Sequence, residues 1–135
     1  MKKKILALSL ISLIIMLYAS VSMVNANNSS DTRFRFMFFS DMYNTELRPK
    51  TDTTSSYMSC ESTPYSYRAH VYTFDGAGNT VDCSYGHYYV FNAGTTRYLI
   101  NNVKENGYSS SGIMGKRLYY GVAYSATGLW SPDSV

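Results

Sequence analysis

The sequence predicts an all-β chain: a small antiparallel β-sandwich of about six or seven strands, immunoglobulin-like in general architecture. Three observations carry this. Arg33 to Ser40 reads with period two, Phe34, Phe36 and Phe38 on one face and Arg33, Arg35, Met37 and Phe39 on the other. Asp75-Gly76-Ala77-Gly78-Asn79 is a glycine-rich reversal between two β-rich runs. Turn residues recur about every ten positions, with no heptad or longer repeat.

The first segment is not part of that sandwich. Lys2, Lys3 and Lys4 precede an uncharged apolar run, Ile5 to Tyr18, and small and polar residues follow. This is the pattern of a secretory signal peptide, and the run is shorter than the roughly twenty residues a spanning helix needs. Val24-Asn25-Ala26 puts small residues at the −3 and −1 positions, so cleavage is expected after Ala26, with Ser22 the alternative and an uncleaved anchor the rival reading. Residues 27–135 then form a single secreted domain, with 27–32 a flexible lead-in and no stable membrane span after cleavage. Without the three lysines of the leader, nine basic and nine acidic residues remain. A neutral domain with scattered charges has no electrostatic footprint for nucleic acid and no polybasic patch for an anionic membrane.

Within the domain, Arg33–Ser40 is the clearest strand, with Phe34, Phe36 and Phe38 on one face and directed to the core. Asp41–Ser56 is polar, holds Pro49, and reads as a long connection into a strand at 55–61. Pro64 breaks the chain before the strand Ser66–Phe74. There Tyr67, Ala69, Val71 and Thr73 suit a core, while Arg68 and His70 suit water. The 75–79 loop returns the chain into 80–84; a calcium loop would need more oxygen ligands and an acidic closer. Residues 85–91 run irregular and then extended, and Asn92-Ala93-Gly94 turns. Residues 95–101 are β-rich, and 102–106 read as one helical turn ended by Gly107, the alternative being a helix over 96–106. Tyr108–Gly115 reads as small and flexible, Lys116–Tyr124 as a strand, Ser125–Gly128 as a turn, and Leu129-Trp130 as a short last strand.

Cys60 and Cys83 are the two cysteines of an exported chain, so a disulfide between them is expected. In the chain-entropy description it would stabilise by roughly 3 kcal/mol. A zinc site built from Cys60, His70, Cys83 and His87 lacks the close ligand pairs zinc sites use. Gly107-Tyr-Ser-Ser-Ser-Gly112 does not have the spacing of a nucleophile elbow, and no carboxylate pair stands out for glycosidase chemistry. No catalytic residue, metal or cofactor is therefore assigned, and the protein is read as a non-enzyme.

The unusual count is tyrosine: thirteen of fourteen lie beyond residue 26. A domain of this size cannot bury that many with every hydroxyl satisfied, and exposed tyrosines make rigid, low-entropy contact area. Tyr88, Tyr89, Tyr119, Tyr124 and Trp130 are the candidate binding surface; the competing reading is that tyrosine serves here as a strand former.

The run Gly94-Thr-Thr-Arg-Tyr-Leu-Ile-Asn-Asn-Val-Lys-Glu-Asn-Gly-Tyr108 and the tail Gly128-Leu-Trp-Ser-Pro-Asp-Ser134 resemble a group of uncharacterised short secreted proteins of Gram-positive gut bacteria. More loosely, the chain is similar to the lactococcin 972-type bacteriocins. That resemblance implies a small β-sandwich acting on cell-wall precursor (lipid II) at the septum of sensitive cells. The chain departs from it in its greater length and in carrying Cys60 and Cys83. Leu99-Ile100, Val103 and Asn106-Gly107-Tyr108 are also similar to the E–F corner of immunoglobulin-like sandwiches. The function expected is secreted, non-enzymatic binding at a cell envelope or surface, bacteriocin-like in one form, with cell-wall precursor, glycan or a surface protein as partner. The alternatives are an extracellular structural or adhesion module and a small secreted hydrolase.

Overall fold

The computed structural model describes residues 28–135; the expected signal peptide lies outside the described residues. Ten strands form two antiparallel sheets. The first sheet has the order β1 (Thr32–Phe38), β10 (Tyr124–Ser131), β4 (Ser56–Ser62), β8 (Thr96–Leu99). The second has the order β2 (Met42–Asn44), β9 (Ser110–Arg117), β5 (Tyr67–Phe74), β6 (Thr80–Asp82). There β3 (Arg48–Pro49) adds to β9 and β7 (Tyr89–Phe91) adds to β5. The predicted small β-sandwich is the observed class, with more strands than expected because the polar 41–56 connection contributes β2 and β3.

Alternation in β1 sends Phe34, Phe36 and Phe38 between the sheets, where all three are buried. Each such ring contributes about 1.5–3 kcal/mol. Phe36 meets Tyr67 of the opposite sheet edge-on at 5.7 Å, and Tyr67 stacks on Phe91 at 5.6 Å. Ala69, Val71 and Thr73 are buried as the alternation of β5 requires. The β5–β6 hairpin closes as read: Asp75 Oδ1 accepts from the Ala77 and Asn79 amides, and Gly78 takes a positive φ of 83°. The helical turn before Gly107 is present too. Tyr108 N–H donates to Val103 O and Gly107 N–H to Lys104 O, the paired bonds of a Schellman end, with Gly107 at φ 79°. The segment read as a flexible lead-in is tied down from Asn28, whose amide donates to Asp133 at 2.8 Å.

Four expectations are corrected. The stretch 110–115, read as flexible, is the body of β9, which pairs with β2, β3 and β5. Its residues are small because rings lie on both sides: a Cβ on Gly112 would sit 2.5 Å from the Tyr72 ring, and one on Gly115 2.7 Å from Phe36. Residues 118–123, read as strand, are the β9–β10 connection, and the expected turn at 125–128 lies inside β10. His70, expected to face water, is buried on the outer face, as is Tyr72. Tyr72 donates to Thr45 O of the β2–β3 connection at 2.7 Å, and Tyr88 packs edge-on against His70 at 4.8 Å.

The fourth correction concerns the cysteines: Cys60 and Cys83 are free thiols, both buried. They belong to different sheets. Cys60 lies in β4, its thiol donating to Ser62 O at 3.8 Å beside the Tyr67 hydroxyl. Cys83 follows β6, its amide bonded to Val71 O of β5. The disulfide expected from their number and compartment is not formed, although both side chains belong to the one core cluster.

Candidate functional site

The outer face of the second sheet carries a groove of about 450 Å³. Antiparallel register builds it. Arg68 and His70 project outward from β5, two residues apart, as period two requires. Lys116 is the cross-strand partner of Arg68, and Met114 that of His70. Met42 of β2 stands opposite Lys116 and forms one wall. Thr80 and Asp82 of β6 form the other, and Tyr88, in the loop between β6 and β7, rises over the floor. A second depression of about 330 Å³ shares Met42, Thr80 and Met114 and extends the groove toward Ser40.

The polar groups form a connected set. Tyr88 OH donates to Asp82 Oδ2 at 2.6 Å, and the Ser84 amide donates to Asp82 Oδ1 at 2.8 Å. His70 Nε2 stands 4.0 Å from Asp82 Oδ2, and the Arg68 guanidinium lies 5.7 Å above the Tyr88 ring, a cation–π arrangement. Burial holds the His70 imidazole below its ordinary pKa, with Asp82 opposing and Arg68 reinforcing that shift. Burial pushes the Asp82 carboxyl up, but hydrogen bonds from Ser84 and Tyr88 outweigh it and leave Asp82 below the usual range. The bond to Asp82 in turn raises the Tyr88 phenol.

The hydroxyls lining the groove are those of Thr80 and Tyr88, and Tyr88 spends its proton on Asp82, not on His70. Among the described residues no group of three or more His, Cys, Asp or Glu is arranged to hold a metal. His87, the other histidine, is exposed and does not line the groove.

The family of proteins of unknown function DUF2712 matches residues 22–134, most of the chain. The chain belongs to that family. No curated protein matches it, and no solved structure does. In this DUF2712 protein the tail Trp130-Ser131-Pro132-Asp133 is buried. Ser56 Oγ donates to Pro132 O at 2.9 Å, Ser131 Oγ to Asp133 O at 2.8 Å, and Lys50 pairs with Asp133. The motif closes the sandwich.

The five residues nominated from sequence do not form one surface. Trp130 is 2 % exposed under the Arg48 guanidinium, and Tyr124 is 7 % exposed against Phe38. Both are corrected from binding surface to core: they are inward residues of β10, a continuous strand where the sequence reads as the end of one strand, a turn and a short last strand. Tyr89 is half-buried against the core, its hydroxyl accepting from the Ile100 amide. Tyr119 is exposed but stacks on Tyr65 at 4.1 Å, in the β9–β10 connection. Tyr88 alone of the five lines the groove. Arg68, Asp82 and Lys116 were missed as site residues. The signal available was Arg68 and His70 sharing one face of a strand; which residues stand across from them depends on pairing.

Proposed function

We propose that the protein is a secreted, non-enzymatic β-sandwich that binds a ligand at a cell envelope or surface through the outer groove of its second sheet. The observation that supports this best is the convergence of Arg68, His70, Asp82, Tyr88 and Lys116, from three strands and a loop, on one open concavity. Its volume is in the range of small-ligand sites, and aromatic and sulfur side chains are interleaved with a few polar groups, as recognition of a sugar or short peptide requires. The leader-like first segment supports export. Growth inhibition of other Gram-positive bacteria is one form this binding would take, in keeping with the resemblance of the tail.

The test uses the mature chain and a Tyr88→Ser variant, which changes a half-exposed side chain. Labelled protein is mixed with intact Gram-positive cells and purified wall fragments, and growth of indicator strains is followed. Retention that Tyr88→Ser reduces is the expected result. Retention insensitive to Tyr88→Ser moves the binding surface elsewhere, and complete partition into the supernatant overturns the reading.

A further inference from the structure

We infer that the groove takes an anionic ligand, a carboxylate or phosphate headgroup on a sugar-sized body, seated between Arg68 and Lys116. This rests on the reading of the groove as a binding site and adds the chemistry of its ligand.

Arg68 of β5 and Lys116 of β9 are direct cross-strand partners on the same face of the sheet. Like charges directly opposite one another destabilise a sheet pair. Here no ion pair among the described residues relieves that cost. Arg33, Lys50 and Arg117 each have a carboxylate within ion-pair distance. Among the described residues Arg68 and Lys116 have none. The Arg68 Nε–H is buried and makes no hydrogen bond within the protein.

The one acid in the groove, Asp82, keeps its charge, but the side chain within ion-pair distance of it is His70, not Arg68 or Lys116. Asp82 is occupied by Ser84 on one oxygen and by Tyr88 on the other. The two ends of the groove therefore differ. Arg68 and Lys116 form a cationic end suited to a planar or tetrahedral oxyanion, which a guanidinium grips by parallel hydrogen bonds. Thr80, Asp82 and Tyr88 form a hydroxyl-rich end suited to ligand hydroxyls, with Met42 and Met114 as apolar walls. His70 lies between the ends, facing Arg68 on its own strand, Asp82 on β6, Tyr88 from the loop and Met114 on β9; Met42 of β2 adds no charge. Protonated, it becomes a third cation near the anion, so affinity rises as pH falls through its ionisation. By reciprocal linkage a bound anion raises the His70 pKa.

The test is an NMR titration of the isotope-labelled mature chain with glucuronate, glucose 6-phosphate and glucose. The expected result is saturable shifts at Arg68, His70 and Lys116 with one or both anions, weak or absent shifts with glucose, and a His70 titration displaced upward at saturating anion. The first two probes separate a carboxylate from a phosphate preference. Lys116→Gln, an exchange at a half-exposed site, is expected to lower anion affinity about fivefold, the scale of a partly exposed ion pair. Glucose binding as tightly as glucuronate, an unchanged Lys116→Gln affinity, or an unmoved His70 titration overturns the anionic assignment and leaves the groove as a binding site. Silence of every groove residue toward all three probes overturns both.

Discussion

Lys50 Nζ lies 2.7 Å from Asp133 Oδ1, and neither side chain is accessible to solvent. The pair joins the β3 end to the chain's last turn. Lys50 also donates to Thr54 O at 2.6 Å, while Asp133 Oδ2 accepts from the Thr51 hydroxyl at 2.6 Å and from the Asn28 amide at 2.8 Å. Three distant stretches of chain are thereby fastened at one carboxylate. Removing Asp133 leaves Lys50 with the longer, 3.6 Å pairing to Asp52, so Asp133→Asn is expected to destabilise by about 3 kcal/mol, the low end for breaking a buried pair. Urea denaturation measures it. Lys50→Met introduced into the Asp133→Asn background should cost much less than Lys50→Met alone; equal costs would mean the two residues do not act as a pair.

Acid should destabilise the fold in two stages. Burial lowers the His70 pKa, so the unfolded chain binds that proton more readily, and its contribution is lost as pH falls below about 6.5. Burial pushes the Asp133 carboxyl up, but the bonds from Lys50 and Thr51 outweigh it and hold it well below the usual carboxylate range. Its contribution is complete above about pH 4 and disappears below. Urea midpoints measured from pH 8 to pH 3 should fall in both windows, and His70→Gln should abolish the first fall only.

Gly128 admits no side chain. A Cβ there would lie 2.0 Å from the Ser59 carbonyl oxygen and 2.8 Å from the Phe34 ring, at the register shift between β10 and β4. Since the nearest obstacle is backbone, Gly128→Ala is expected to cost about 3 kcal/mol or more. Gly76→Ala, where nothing lies within 4 Å, should stay within about 0.5 kcal/mol. Thermal melts of the two variants side by side give the comparison.

The Tyr67 hydroxyl is buried beside the Cys60 thiol and makes no hydrogen bond of ordinary geometry. Tyr67→Phe keeps the ring contacts with Phe36, Phe38 and Phe91 and removes an unsatisfied group. It should therefore be neutral or stabilising by about 1 kcal/mol, read as a raised denaturation midpoint.

The two cysteines should behave as inert thiols. Burial raises the Cys60 thiol and pushes Cys83 up to about 11, and the thiolate is the reactive form. A thiol reagent should titrate neither in the folded protein and both after denaturation, with no mass change on reduction. A mass change on reduction would restore the Cys60–Cys83 bond.

Local signals that need no partner were legible in the sequence. The alternation of Phe34, Phe36 and Phe38 declares a strand and its inner face, since period-two geometry is a property of the strand alone. The Asp75–Asn79 reversal and the Gly107 turn likewise follow from side-chain capping and positive φ within a few residues. Tertiary structure decided what depends on a neighbour across the sheet. Ser110–Gly115 looks weak as an isolated strand, yet it lies near the centre of the second sheet because the rings of Tyr72 and Phe36 occupy the space its glycines leave. Trp130 and the residues after it look like an exposed tail, yet Lys50 and Ser56 draw them into the core. The groove is of the same kind: the sequence placed Arg68 and His70 on one face, but only the β5–β9 register sets Lys116 beside Arg68 and makes two like charges an unanswered pair.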